Sequence, residues 1–236
     1  MEFPMRINKY LAHNGIASRR EADTLIAEGK VKINGKKAEM GQKVEESDDV
    51  KIVGKTKPKT YLAYYKGRGI ITHSPAEGET DIVSRLANDF GINHVSPVGR
   101  LDKDSEGLMI LSNDGRITGP LLDPEAKHEK EYDVLVDKRV SSMFIRAMSL
   151  GVDIEGYQTK PAVAIPNPRN DKRFKLIITE GKKHQIRRMC AALGYQVQNL
   201  KRVRIGNIKI DKLKPNQYRK IQGDELKKFL EELDVK

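Results

Sequence analysis

The sequence predicts an α+β protein in two parts. A small N-terminal unit of helices and a hairpin occupies residues 1–53, and a larger domain with a mainly antiparallel mixed sheet and flanking helices occupies 61–236. Three observations carry this expectation. In the second part, runs of strand length dominate the apolar positions and helices interrupt them irregularly, unlike a repeating βαβ order. "EYDVLVD" alternates, so that Tyr132, Val134 and Val136 share one face. "GKTKPKT", residues 54–60, has no apolar residue and combines Gly, Pro and three lysines, as a flexible linker does.

The elements follow in order. Arg6 to His13 is a short helix ended by Asn14-Gly15. In "SRREADTLIAEG", Ser18 as N-cap and Glu21 three residues on form a capping box. Ala22, Leu25 and Ile26 share a helix face, and Gly29 closes the helix. "VKINGKKAEM" reads as a strand, an Asn34-Gly35 turn and a return strand. Val50 to Val53 adds one more strand. Beyond the linker, strands are expected at 61–65, 95–100, 108–112, 131–137, 174–179 and 201–210. Helices are expected at 80–90, 116–122, 141–150, 184–193 and 224–233.

The chain has 236 residues and a formal net charge of +11. No apolar run reaches membrane-spanning length, and the first residues lack the apolar core of a signal peptide. The single cysteine, Cys190, leaves no internal disulfide and no thiolate metal cluster. A cytoplasmic monomer without membrane contact is the expectation. The charge is clustered: residues 181–220 hold twelve Lys/Arg against one acid, Asp211, and residues 1–60 hold thirteen against nine. Such clustering points to a polyanion partner, and nucleic acid is favoured.

Chemistry concentrates in three stretches. In "GRLDKDSEGLMILSNDG", residues 99–115, Arg100 and Asp102 stand at i and i+2 ahead of an apolar block. If that stretch is extended, both side chains leave on one side, and the guanidinium keeps the carboxylate ionised. An oriented, ionised carboxylate on a rigid strand suits a nucleophile or a base; the plainer alternative is a turn carboxylate. In "HEKEYDV", Tyr132 either stacks on a base or is a core tyrosine. "EGKKHQIRRMCAALG" opens a helix whose first turn gathers Lys182, Lys183, His184, Arg187 and Arg188. Ile186, Met189, Cys190 and Leu193 form its buried stripe, which makes Cys190 packing. Arg187 and Arg188, off that stripe, meet phosphate or pair with a carboxylate.

No second His or Cys stands at ligand spacing from His184. Asp102, Asp104 and Glu106 lack the glycine of a calcium loop and are interrupted by lysine. No nucleotide loop or other cofactor motif appears. Neither a metal nor a cofactor is expected.

Together, these stretches resemble the signature of RsuA/RluB/RluF-type pseudouridine synthases over essentially the whole chain. "RINKYLAHNGIASRREADTLIAEGKVKINGKKA" is similar to the alpha-L RNA-binding domain. "KEYDV" and "KKHQIRRMCAALGYQVQNLKRVRIG" match the family's later motifs, and "HEKEYDV" and "HQIRRMC" look most like the RluF branch. The resemblance implies an antiparallel catalytic sheet crossed by a cleft, in which a uridine of structured RNA becomes pseudouridine. It makes Asp102 the catalytic aspartate, Tyr132 the ring stacked on the uracil, and Arg187 the basic partner of Asp102. Arg100 and Ile186 would hold and line the extruded nucleotide, and Lys130 joins them as substrate-binding. The basic residues expected on RNA are Lys9, Arg19, Arg20, Lys36, Lys182, Lys183, Arg188 and Arg202. The target base must leave its stack, at an unstacking cost of about a few kcal/mol. Phosphate contacts supply binding energy.

The expected substrate is ribosomal RNA, with the large subunit favoured and a tRNA as a second candidate. Two other classes stand beside this reading. A non-catalytic RNA-binding or ribosome-assembly factor would show no turnover. A metal-dependent nuclease using Asp102, Asp104 and Glu106 would lose activity with EDTA and shorten its RNA.

Overall fold

The computed structural model describes residues 2–54, 58–73 and 75–235, without the Arg20 side chain. The N-terminal unit runs β1 (Met5–Arg6), α1 (Ile7–His13), α2 (Arg19–Ala27), β2 (Val31–Ile33), β3 (Lys36–Lys37), β4 (Lys43–Val44) and β5 (Val50–Ile52). Ser18 Oγ accepts the Glu21 N–H at 3.3 Å and starts α2. β2 pairs antiparallel with β3 across the Asn34-Gly35 turn and with β5 on its other side, while β1 pairs with β4. This unit has its own core, in which Ile7, Leu11, Ala22, Val31 and Val44 are fully buried. The strands β1 and β4 were not legible in sequence, because two residues carry no periodicity.

The second part runs β6 (Tyr61–Lys66), α3 (Ile82–Phe90), β7 (Ser96–Val98), β8 (Glu106–Ser112), a 3-10 turn (Gly115–Ile117) and α4 (Thr118–Leu122). It continues with β9 (Lys130–Val136), α5 (Ser142–Leu150), β10 (Val163–Pro166), β11 (Arg173–Ile178), α6 (Gln185–Ala192), β12 (Val197–Ile205), β13 (Ile208–Lys209), β14 (Tyr218–Lys220) and α7 (Gly223–Glu232). The sheet order is β10-β11-β9-β12-β8-β6-β14, with β7 on β8 and β13 on β12. The contact of β12 with β8 is parallel; the other pairings are antiparallel. Helices cover both faces, so the fold is α+β with a mixed sheet.

That arrangement explains the apolar block from Leu108 to Leu111 within β8. Met109 and Leu111 pack on one face with α3, α5 and α6, and Leu108 and Ile110 pack on the other with α4 and α7. A strand buried on both faces reads as a continuous apolar run. β9 is covered on one face only, so it alternates: Tyr132, Val134 and Val136 face the core. Two expected strands differ. The 95–100 segment stops at Val98, because Gly99 turns the chain at φ +83°. The 201–210 segment is the end of β12 and a hairpin through Gly206. β10 and β14 are short edge strands that sequence analysis missed.

The expected linker also differs at its described end. Thr60 N–H donates to Asn113 Oδ1 at 2.7 Å, and Asn113 Nδ2 donates to the Pro58 carbonyl at 3.0 Å. Residues 55–57 lie outside the described residues. The N-terminal unit packs directly on the turn after β8. A β-carbon on Gly115 would meet the Ala12 carbonyl oxygen at 2.3 Å, and one on Gly15 would meet Arg116 Nε at 2.4 Å. Beneath this seam, the buried Asp114 accepts hydrogen bonds from Tyr61 and Arg116. Burial pushes its carboxyl up, but these bonds outweigh burial and hold it below the usual carboxylate value.

Candidate active site

Asp102 lies in the turn between Gly99 and β8, at the mouth of a cavity of about 720 Å³. The backbone of this turn is tied at every step. Arg202 Nη1 donates to the Arg100 carbonyl at 3.4 Å. The Thr72 hydroxyl donates to the Leu101 carbonyl at 2.7 Å and accepts the Leu101 N–H at 3.1 Å. Ser105 N–H closes onto the Asp102 carbonyl at 3.1 Å. Lys66 Nζ and Gly69 N–H both donate to the Lys103 carbonyl, at 3.2 and 2.9 Å. Arg187 Nη2 donates to the Asp104 carbonyl at 3.2 Å and to Ser105 Oγ at 3.3 Å. A turn held this way presents Asp102, the carboxylate of the turn that lines the cavity, in a fixed place, as a reacting group requires.

The cavity brings together Arg100, Asp102, Lys130, Tyr132, Ile186, Lys182, Lys183 and Arg202 from the expected residues. Tyr132 is 7 % exposed, and its hydroxyl has no hydrogen-bond partner among the described residues. Its ring forms part of the cavity floor together with Ile178, Ile186 and Leu200.

Two expected pairings differ. Arg100 is solvent-exposed and forms no ion pair with Asp102. The positive φ at Gly99 breaks the extended geometry that would have put them on one side. Arg187 does not line the cavity and does not reach Asp102; its guanidinium binds the Asp104 and Val197 carbonyls and the Ser105 hydroxyl. The group facing Asp102 is His184, with Nε2 at 3.5 Å from Oδ1, an ion pair when the imidazole is protonated. His184 precedes α6 in the left-handed region, φ 52°, ψ 24°. That conformation is uncommon outside glycine and turns the ring to the cavity.

The basic run at 181–220 is not one surface. Arg188 pairs with Glu155, Arg204 with Glu129 and Glu131, and Arg219 with Glu225. Arg202 is 5 % exposed and lies inside, where Nε donates to the Leu108 carbonyl at 2.8 Å. Lys182 and Lys183 stand exposed on the cavity rim. In the N-terminal unit Lys9, Arg19 and Lys36 are exposed; the Arg20 side chain lies outside the described residues.

Four residues escaped sequence analysis. Lys66 is fully buried at the end of β6, with Nζ on the carbonyls of Gly67, Ile70 and Lys103. The only signal was a lysine closing an apolar strand. Thr72 carried no signal. Glu180, the lone acid after β11, accepts from Tyr157 OH, Lys160 N–H and Gln185 Nε2 at 2.6, 3.0 and 2.6 Å. Gln185 in turn accepts the Lys182 N–H at 2.9 Å, which shapes the loop that carries His184. Cys190 is packing, as expected: it is fully buried, and burial pushes its thiol up to about 12.

A sheet cleft with a fixed aspartate and a buried tyrosine, joined to a small unit of helices and a hairpin, is the frame of an RNA-modifying enzyme, and the matches to known families agree. Residues 60–192 match the RNA pseudouridylate synthase family, and residues 5–50 match the S4 domain. The chain belongs to the RNA pseudouridylate synthase family and is an isomerase that acts on uridine in RNA. It is 40% identical over 228 residues to the dual-specificity RNA pseudouridine synthase RluF of Escherichia coli (strain K12), covering 94% of this chain and 77% of that one. It is 34% identical over 235 residues to the ribosomal large subunit pseudouridine synthase B of Bacillus subtilis (strain 168), covering 95% of each. Among solved structures, it is similar to a pseudouridylate synthase at 28% identity and a TM-score of 0.70, covering 95% of this chain and 99% of that one.

Proposed function

We propose that the chain isomerises a specific uridine of large-subunit ribosomal RNA, with a tRNA as a second substrate. The Bacillus subtilis relative is named for the large ribosomal subunit, and the Escherichia coli relatives are named as dual-specificity enzymes. The observation that carries the catalytic part is the Asp102 carboxylate, fixed by its tied turn over a cavity floored by Tyr132.

In this reading the uridine is extruded and its base stacks on Tyr132, against Ile186. Asp102 then acts at C1′ as nucleophile or at C2′ as base. Arg187 serves by bracing the 104–105 backbone, and Arg100 meets the extruded nucleotide from the cavity rim. Residues 1–53 bind RNA through Lys9, Arg19, Arg20 and Lys36, and residues 61–236 carry out the chemistry. The same reading takes the enzyme as a cytoplasmic monomer, on the sequence grounds given above.

The test is chemical mapping of pseudouridine in ribosomal and transfer RNA from cells lacking the protein. At least one large-subunit position should lose its signal. The wild-type chain should restore it, and the Asp102→Asn chain should not. Large-subunit RNA with every signal intact would rule out the substrate assignment.

A further inference from the structure

We propose that Lys130, backed by Arg202, is the cationic group that stabilises the uracil anion released when the C1′–N1 bond breaks. The inference rests on the uridine isomerisation described above and adds a residue that meets the leaving group.

Lys130 opens β9 and lines the cavity two residues before Tyr132. On a strand that spacing puts both side chains on one face, roughly 7 Å apart. Its one hydrogen bond is a long one, from Nζ to the His128 carbonyl at 3.4 Å, and among the described residues it has no carboxylate partner. Arg202, on the neighbouring strand β12, is buried, and among the described residues its side chain is held by the Leu108 and Arg100 carbonyls and the Met109 sulfur, with no carboxylate. Burial, and then the Arg202 guanidinium, push the Lys130 ammonium below its ordinary value.

Two cations that line one cavity, both partly out of water and neither paired with a carboxylate among the described residues, are costly unless an anion joins them. The cavity's two carboxylates do not fill that role. Glu180 is taken by Tyr157, Lys160 and Gln185, and Asp102 faces His184. Exposed lysines on the rim, Lys182 and Lys183, are placed for phosphates that arrive with the RNA. Lys130 stands deeper, on the strand of the stacking tyrosine. A charge there is best used on a group that turns negative only as the bond breaks.

The step balances by either route. The C1′–N1 electron pair passes to the ring and spreads over O2 and O4. C1′ is made good by a bond to the Asp102 carboxylate or by transfer of the C2′ proton to Asp102. In both cases the uracil leaves as a monoanion, and Lys130 donates an N–H to one of its carbonyl oxygens. C5 then bonds to C1′, which displaces the carboxylate or takes the C2′ proton back. Finally C5 loses its proton to solvent and N1 gains one.

The experiment compares wild type, Lys130→Met and Lys130→Arg in single-turnover kinetics. The substrate is total RNA from cells lacking the protein, and then transcripts of the mapped segment made with uridine or with 5-fluorouridine. Lys130→Met should lower the saturating rate on the order of a hundredfold, as loss of one charge-stabilising donor does. RNA affinity should stay within about threefold, a difference of ~0.7 kcal/mol. The loss should be markedly smaller with 5-fluorouridine, read as its disappearance from a nuclease digest, because fluorine stabilises the ring anion itself. Lys130→Arg should recover most of the rate and move the alkaline fall in activity to higher pH, since guanidinium stays protonated. Weakened RNA binding at an unchanged saturating rate would make Lys130 a phosphate contact and overturn the proposal. So would equal losses on both transcripts, or an alkaline limb that Lys130→Arg leaves in place. A wild-type chain inactive on total RNA would instead remove the uridine reading on which the proposal rests.

Discussion

The ammonium of Lys66, wholly shielded from solvent, donates to the main-chain carbonyl of Lys103 at 3.2 Å, one residue past Asp102. The same ammonium donates to the Gly67 and Ile70 carbonyls. Burial pushes it down to about 8 from 10.5, against the pull of Asp102 and Asp104. A buried cation thus fastens the turn that carries the aspartate.

This pairing gives stability a pH signature. Above pH 8 the folded chain sheds the Lys66 proton, while the unfolded chain keeps it until about 10.5. The unfolded state then binds more protons, so this group favours folding increasingly as pH rises through that window. Below it, the buried ammonium is a cost. The difference in unfolding free energy between wild type and Lys66→Met should rise in favour of wild type, by up to about 1.4 kcal/mol per pH unit. Urea unfolding at a series of pH values measures it. A difference that stays flat from pH 8 to 10.5 would mean that Lys66 does not titrate there.

Asp102→Asn should abolish isomerisation while RNA affinity stays within about threefold, ~0.7 kcal/mol. The tied turn needs only backbone groups and its supporting side chains, so the substitution leaves it standing. Nucleoside analysis of the treated RNA reads turnover, and filter binding reads affinity. Turnover in this variant would take Asp102 out of the mechanism.

Tyr132→Phe keeps the ring and drops a hydroxyl that has no partner among the described residues. Tyr132→Ala loses both. If stacking dominates, only the alanine variant weakens capture of the base, by roughly 1–3 kcal/mol. Competition binding with RNA carrying an abasic target position separates base capture from backbone binding. Equal losses in the two variants would shift the role to the hydroxyl.

Gly115→Ala tests the seam between the two units. The new β-carbon would stand 2.3 Å from the Ala12 carbonyl oxygen, so the N-terminal unit must move away. Faster proteolysis at the linker is expected, with a higher apparent KM. The saturating rate should change far less, because Asp102 and Tyr132 lie on separate supports. A collapse of that rate at unchanged KM would show that the docked unit helps to build the cavity.

Much of this was legible in the sequence because it is local. Ser18 with Glu21, the Asn34-Gly35 turn, the alternation around Tyr132 and the doubly buried run from Leu108 to Leu111 each fix their element from neighbours a few residues away. The aspartate stood out ahead of such a stretch, whereas the tyrosine's role came from the resemblance to a known family. What stayed hidden depends on distant partners. Gly99 takes a positive φ, and that single turn sends Arg100 to solvent and leaves His184 facing Asp102. Lys66, Thr72 and Glu180 gain their roles from backbone groups that the sheet brings beside them. The charge run at 181–220 read as one face, yet folding distributes its arginines among carboxylates and carbonyls on several strands. Sequence by itself determined the class of fold and most of its longer elements, and it singled out the residues proposed to react. Only tertiary structure decided which cation meets which carboxylate, because ion pairs and hydrogen bonds depend on distances that chain spacing does not set.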